Sequence, residues 1–234
     1  AYAGASEIKE AHTMPPSPTT TRRSLLLTAF GLAATLALPP LLGACSKKSP
    51  RLQSLPAGAT VLAFGDSVTY GTGAQAGQDW PSLLAGLSGW NVINAGIAGD
   101  TAAEGKNRLP ELLASHSPAL LVIEIGGNDF LRRTPPSTVK ADVRHMVAQA
   151  QAAKVQVVLV AVPAPSLLGV VAKNLSDAPL YAELGEEENI PVIADVFANV
   201  LATEALRADP IHPNAAGYRR MAEGIYAALR GLGA

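Results

Sequence analysis

Five short apolar or β-branched runs punctuate this chain, at residues 60–64, 92–95, 120–125, 155–162 and 190–194. Most are continuous rather than alternating, the pattern of strands covered on both faces. The stretches between them carry apolar residues at helical spacing. Thr101-Ala102-Ala103-Glu104 reads as a capping box, with Leu109, Leu112 and Leu113 following on one face. Thr134-Pro135 opens a second helical pattern through Val139, Val143, Met146, Val147 and Ala150. Asn214 can cap a last helix through Met221, Ile225 and Leu229, stopping near Gly231. Strands alternating with helices at this spacing build a parallel sheet from right-handed βαβ units, so the expected class is α/β with five parallel strands.

In such sheets, sites form beyond the carboxyl ends of the strands. The segments with chemistry fall there. Gly65-Asp66-Ser67 follows the first run, residues 96–101 the second, and Gly126-Gly127-Asn128-Asp129 the third. Asp209-Pro210-Ile211-His212 precedes the last helix. Taken singly, each has a plain structural reading. Gly-Asp-Ser suits a strand-to-helix turn with a capping serine, Asp209 suits a turn before Pro210, and Gly126-Gly127-Asn128 suits a tight turn. Their joint occurrence on one rim points instead to a composite site. A serine hydroxyl becomes a useful nucleophile only when a base takes its proton and a third group holds that base's tautomer. Ser67, His212 and Asp209 are the residue types this requires.

These segments resemble the conserved blocks of the GDSL, or SGNH, hydrolases, from about Ala59 to the C-terminus and including Arg108-Leu109-Pro110-Glu111-Leu112-Leu113. The similarity is nearest to the bacterial branch of thioesterase I/lysophospholipase L1 and related arylesterases. It implies a three-layer α/β/α, flavodoxin-like SGNH-hydrolase fold. It also implies Ser67 as nucleophile, Asp209 and His212 as acid and base, and an oxyanion hole from the Ser67 and Gly99 backbone N–H groups and the Asn128 side chain. A glycine at 99 lets its N–H approach a substrate closely. Thr69 stands where many members have a serine or another small residue, and residues 163–180 match poorly, which leaves substrate choice open. The turn is not the G-x-S-x-G elbow of α/β-hydrolases.

The other histidines are poorer bases. His116 ends a helical pattern at the wrong end of the sheet, His145 lies within one, and His12 precedes the domain. Other ligand classes fit badly. Gly71-Thr72-Gly73 lacks the spacing and acidic partner of a dinucleotide loop, and residues 99–106 lack the Ser/Thr of a phosphate loop. The carboxylates and histidines are too few for a metallophosphoesterase. No cofactor and no metal are expected. A carbohydrate O-deacetylase or a catalytically silent envelope binding domain on the same fold are the alternatives.

Of the 234 residues 48% are hydrophobic and 16% charged, and the formal net charge of −1 gives no reason to expect nucleic acid. There is one cysteine, Cys45, so no intrachain disulfide can form. Arg22-Arg23 precede an apolar stretch at residues 25–42 broken by Pro39-Pro40, the layout of a secretory signal. Thr21-Arg22-Arg23-Ser24-Leu25-Leu26 also looks like a twin-arginine signal, and Met14 is a candidate start. The stretch ends in Leu42-Gly43-Ala44-Cys45, which resembles a bacterial lipobox, where cleavage precedes a lipid-bearing cysteine. A transmembrane anchor is the competing reading, and the proline pair and small residues favour cleavage. The expected organisation is an extension and lipoprotein signal over 1–44, a tether over 45–58 and a hydrolase domain over 59–234. The expected location is the bacterial cell envelope, lipid-anchored on the periplasmic side of the outer membrane, and a monomer is expected. Apolar Phe130, Leu131, Leu167 and Leu168 on the rim, with Val170 and Val171, suggest a pocket for aryl esters, lysophospholipids or acyl thioesters.

Overall fold

Residues 50–164 and 175–234 are described by a computed structural model of the chain. Five parallel strands form its centre, β1 (Thr60–Gly65), β2 (Asn91–Gly96), β3 (Leu120–Glu124), β4 (Gln156–Val160) and β5 (Val192–Ile193). They lie in the order β2-β1-β3-β4-β5. The register aligns the carboxyl ends: Gly65 pairs with Gly96 on one side and Glu124 on the other. β1 and β3 are buried along almost their whole length, as continuous apolar runs predict. Edge strand β2 is only half covered, and the fifth run shortens to two residues. Pro191 and Asp195 bound it: the first lacks an N–H, and the second adopts a left-handed backbone at φ 63° that ends the strand.

The described helices are α1 (Ser67–Tyr70), α2 (Trp80–Ser88), α3 (Ala102–His116), α4 (Gly127–Leu131), α5 (Pro136–Ala152), α6 (Pro179–Glu187), α7 (Val196–Ala202) and α8 (Ala215–Leu232). α3 packs on α5 and α5 on α6, while α2 and α7 pack on α8, giving the two outer layers. The capping box forms: Thr101 Oγ1 accepts from the Glu104 N–H, and Glu104 accepts from the Thr101 N–H. Asn214 caps α8 by accepting from the Gly217 N–H at 3.0 Å. Tyr218, Met221, Ala222, Ile225 and Leu229 bury one stripe of α8 at spacings of three and four. Pro110 sits inside α3 and cannot donate to the carbonyl of Lys106. Gln149 of α5 donates to that carbonyl instead, at 3.2 Å.

Before β1, Leu52 and Leu55 pack against the core. The Leu52 N–H donates to the carbonyl of Leu232 at the end of α8, and Gln53 donates to Gln156 at the start of β4. The chain therefore joins the sheet at the end opposite the carboxyl-end rim. Among the described residues, no helix is long and apolar enough to cross a membrane. Cys45 lies outside the described residues, as do the signal and the first part of the tether.

Candidate active site

β1 delivers Ser67 to the rim and α1 begins there. Asp66 caps that single turn, its Oδ1 accepting from the Val68 N–H at 3.0 Å. Ser67 is thus the first residue of a helical turn, where N–H groups have no partner within the helix. The crossing is tight. A Cβ on Gly65 would sit 2.1 Å from the Glu124 carbonyl and 2.2 Å from Thr69 Oγ1, so only glycine fits.

The Asp209–His212 loop arrives from the other end of the chain. An isolated bridge between Arg207 and Pro213 closes its neck. Asp209 Oδ1 accepts from the Ile211 and His212 N–H groups, each at 2.8 Å, which makes a compact Asx turn. His212 Nδ1 lies 2.7 Å from Asp209 Oδ2, and Nε2 lies 3.0 Å from Ser67 Oγ across 145 residues of sequence. With its proton on Nδ1, held by the carboxylate, the ring presents Nε2 as acceptor to the Ser67 hydroxyl. Burial pushes the Asp209 carboxyl up, but hydrogen bonds from the His212 ring and from the Ile211 and His212 backbone outweigh it and leave it below the usual range.

Gly99 and Asn128 flank the serine from the β2 and β3 sides. The Asp100 N–H donates to the Ile97 carbonyl, closing a turn whose third residue is Gly99 at φ 85°. A turn residue with that φ favours glycine. A Cβ there would meet nothing within 4 Å, so backbone conformation, not crowding by the protein, selects the residue. Asn128 Nδ2 donates to the Asp100 carbonyl at 3.0 Å and lies 3.4 Å from Asp66 Oδ2. The Ser67, Gly99, Asn128, Asp209 and His212 segments therefore converge. Leu131 lines the cleft beside Ser67 and His212, with Val162, Leu175, Phe197, Leu201 and Ile211. Phe130 does not: it packs against the hydrophobic core, because adjacent helical residues point about 100° apart. Leu167 and Leu168, with Val170 and Val171, lie outside the described residues. His116 ends α3 and His145 is exposed on α5, both away from the cleft.

Beneath the cleft lies a polar layer that the sequence pattern did not disclose. Arg108 donates to Asp100 Oδ2 at 2.7 Å and to the carbonyls of Ala95 and Gly65, and stacks over the Phe64 ring at 3.9 Å. It ties β1, β2 and the Gly99 turn together. Asp129 Oδ2 accepts from the Ala102 N–H at the start of α3. Glu124, fully buried, accepts from Thr69 Oγ1. Burial drives the Glu124 carboxyl well above its usual range, helped by the nearby Asp66 charge. Burial also pushes Asp66 up to about 6, against the hydrogen bond from Val68. Such partners are long-range, so no local spacing announces them. Only the i, i+4 spacing of Asn128 on α4 and Arg132 at its C-cap is a readable signal.

A model of the GDSL-like lipase/acylhydrolase family matches residues 63–220. This chain belongs to that family. Esterase TesA of Pseudomonas aeruginosa is 33% identical over 181 residues, covering 74% of this chain and 89% of the relative. Thioesterase 1/protease 1/lysophospholipase L1 of Escherichia coli K12 is 34% identical over 158 residues, 66% of this chain and 76% of the relative. The crystal structure of the psychrotrophic esterase EstA from Pseudoalteromonas sp., inhibited by monoethylphosphonate, superposes with a TM-score of 0.65 at 26% identity, covering 74% of this chain and 97% of that one. In keeping with a lipase/acylhydrolase family and relatives named esterase and thioesterase/lysophospholipase, this chain is a carboxylic ester hydrolase of α/β architecture.

Proposed function

We propose that this protein cleaves carboxylic esters through an acyl-enzyme on Ser67. The observation that carries the reading is the continuous hydrogen-bonded line from Ser67 Oγ to His212 Nε2 and from His212 Nδ1 to Asp209. His212 takes the Ser67 proton as Oγ attacks the ester carbonyl, then returns it to the departing alcohol, phenol or thiol. Water repeats the sequence in reverse roles: His212 accepts its proton, hydroxide adds to the acyl carbon, and the Ser67 hydroxyl re-forms as the acid leaves. The tetrahedral oxyanion is met by the N–H groups of Ser67 and Gly99 and by the Asn128 amide, each such donor typically worth on the order of 10²–10³ in rate.

Aryl esters, lysophospholipids and medium acyl thioesters are the proposed substrates. The apolar wall of Leu131, Val162, Leu175, Phe197, Leu201 and Ile211 supports an acyl or aryl group, and the relatives named for esterase, thioesterase and lysophospholipase activity support the same classes. The proposal also puts the enzyme in the cell envelope on a lipid-modified Cys45, cleaved from its signal, which Cys45→Ala would release into the soluble fraction. The functional test is hydrolysis of oxygen esters, thioesters and lysophospholipids of graded chain length by the protein and by Ser67→Ala. Hexanoyl and octanoyl esters should turn over far faster than acetylated sugars, and Ser67→Ala should turn over none. A preference for acetylated sugars would overturn the apolar-pocket reading.

A further inference from the structure

Helix α4 and the Arg132 residue that caps its C-terminus grip the Gly99 turn at two successive carbonyls. Asn128 Nδ2 donates to the carbonyl of Asp100 at 3.0 Å. One helical turn later, on the same face, Arg132 Nη2 donates to the carbonyl of Gly99 at 2.9 Å. The Arg132 guanidinium also comes within 3.9 Å of Glu104, whose carboxylate closes the capping box on Thr101. One side chain thus spans α4, the turn, and the start of α3. Gly99 is the softest point of that turn, because a glycine at φ 85° has no Cβ to restrict rotation about its bonds. Its carbonyl shares a peptide plane with the Asp100 N–H that bonds to Ile97, so the Arg132 hydrogen bond anchors the C-terminal side of that hinge.

We propose that Arg132 is a positioning residue: by holding the Gly99 carbonyl it keeps the Gly99 N–H aimed at the same point as the Asn128 amide. The inference rests on the acyl-enzyme reading and extends it to a residue that need not touch the substrate. A charge-assisted hydrogen bond is suited to the task, being shorter and stronger than a neutral one. Stability and catalysis separate at this position. The Arg132 side chain is 56% exposed, so its removal buries no orphaned group and lets water satisfy the Gly99 carbonyl. Catalysis needs the donor in place before the oxyanion forms, and water cannot supply that preorganisation.

The test compares Arg132→Ala and Arg132→Lys with Arg133→Ala, which removes the same charge one residue further on from a side chain not bonded to the turn. Arg132→Ala should lose about tenfold in kcat, less than the loss of a whole oxyanion donor, with KM within about twofold and an unchanged melting temperature. Affinity for an aryl trifluoromethyl ketone, whose serine adduct places an oxyanion on the same donors, should fall in the same proportion. Arg132→Lys should recover part of both, and Arg133→Ala should match the parent. An unchanged kcat in Arg132→Ala would overturn the inference while leaving the hydrolase reading intact. An equal loss in Arg133→Ala would replace it with a general charge effect, and a loss that tracks a lowered melting temperature would make Arg132 merely structural. Absence of Ser67-dependent turnover in the parent would remove both.

Discussion

The hydroxyl of Thr69 donates at 2.7 Å to the fully buried carboxyl group of Glu124, linking the helical turn behind Ser67 to the end of β3. The other Glu124 oxygen makes no hydrogen bond among the described residues. A fully buried carboxyl group bonded at one oxygen depends heavily on that bond. Thr69→Val keeps the shape but removes the donor, and should destabilise the fold by about 1–3 kcal/mol in urea unfolding. Thr69→Ser keeps the hydroxyl and should cost less.

Asp66 and Glu124 make stability depend on pH in an unusual direction. Burial raises the Asp66 carboxyl from 3.8 to about 6, so in this window the folded chain holds a proton that the unfolded chain has released. Stability is therefore greatest below the unfolded value and falls as pH rises through about 6. Glu124, raised well above its usual range by burial, and Asp100, Asp129 and Asp177, also raised by burial, act in the same sense. Asp209 opposes them, because its lowered carboxyl contributes stability that is lost on acidification, but it is half exposed and its share is small. Urea unfolding at about pH 4.5 and about pH 7 should show the protein more stable at the lower value. Asp66→Asn, which can still cap Val68, should shrink that difference.

The Asp209 side chain is 46% exposed, whereas that of His212 is 13% exposed. An aspartate in contact with water orients the imidazole but stabilises its cation less than a buried one. A buried triad aspartate replaced by asparagine costs about 10⁴ in kcat, so Asp209→Asn should cost less, roughly 10²–10³. The loss should appear in kcat with little change in KM, measured on an aryl ester at saturating substrate.

Much of this site was legible because its parts lie at strand ends that a periodicity reading can locate. The capping box at Thr101 and the cap at Asn214 are local patterns, and both form as their spacing implies. Ser67, Asp209 and His212 meet because β1 and the loop before α8 reach one rim. The polar layer was not legible. Arg108 reaches the carbonyl of Gly65 across 43 residues, and Asp129 reaches the Ala102 N–H across 27, so neither leaves a local trace. The short helix α7, whose Phe197 and Leu201 line the cleft, sits directly after a strand and is too brief for its period to stand out. The fifth run overstated its strand because apolar residues at an edge mark burial as readily as pairing.

The central claim is that Ser67 is the nucleophile, and a fluorophosphonate tests it most directly. Treated protein should gain the mass of one phosphonyl group, and peptide mapping should locate it on Ser67. His212→Ala should label slowly and Ser67→Ala not at all. An adduct on any other residue, or labelling of Ser67→Ala at the parent rate, would contradict the account.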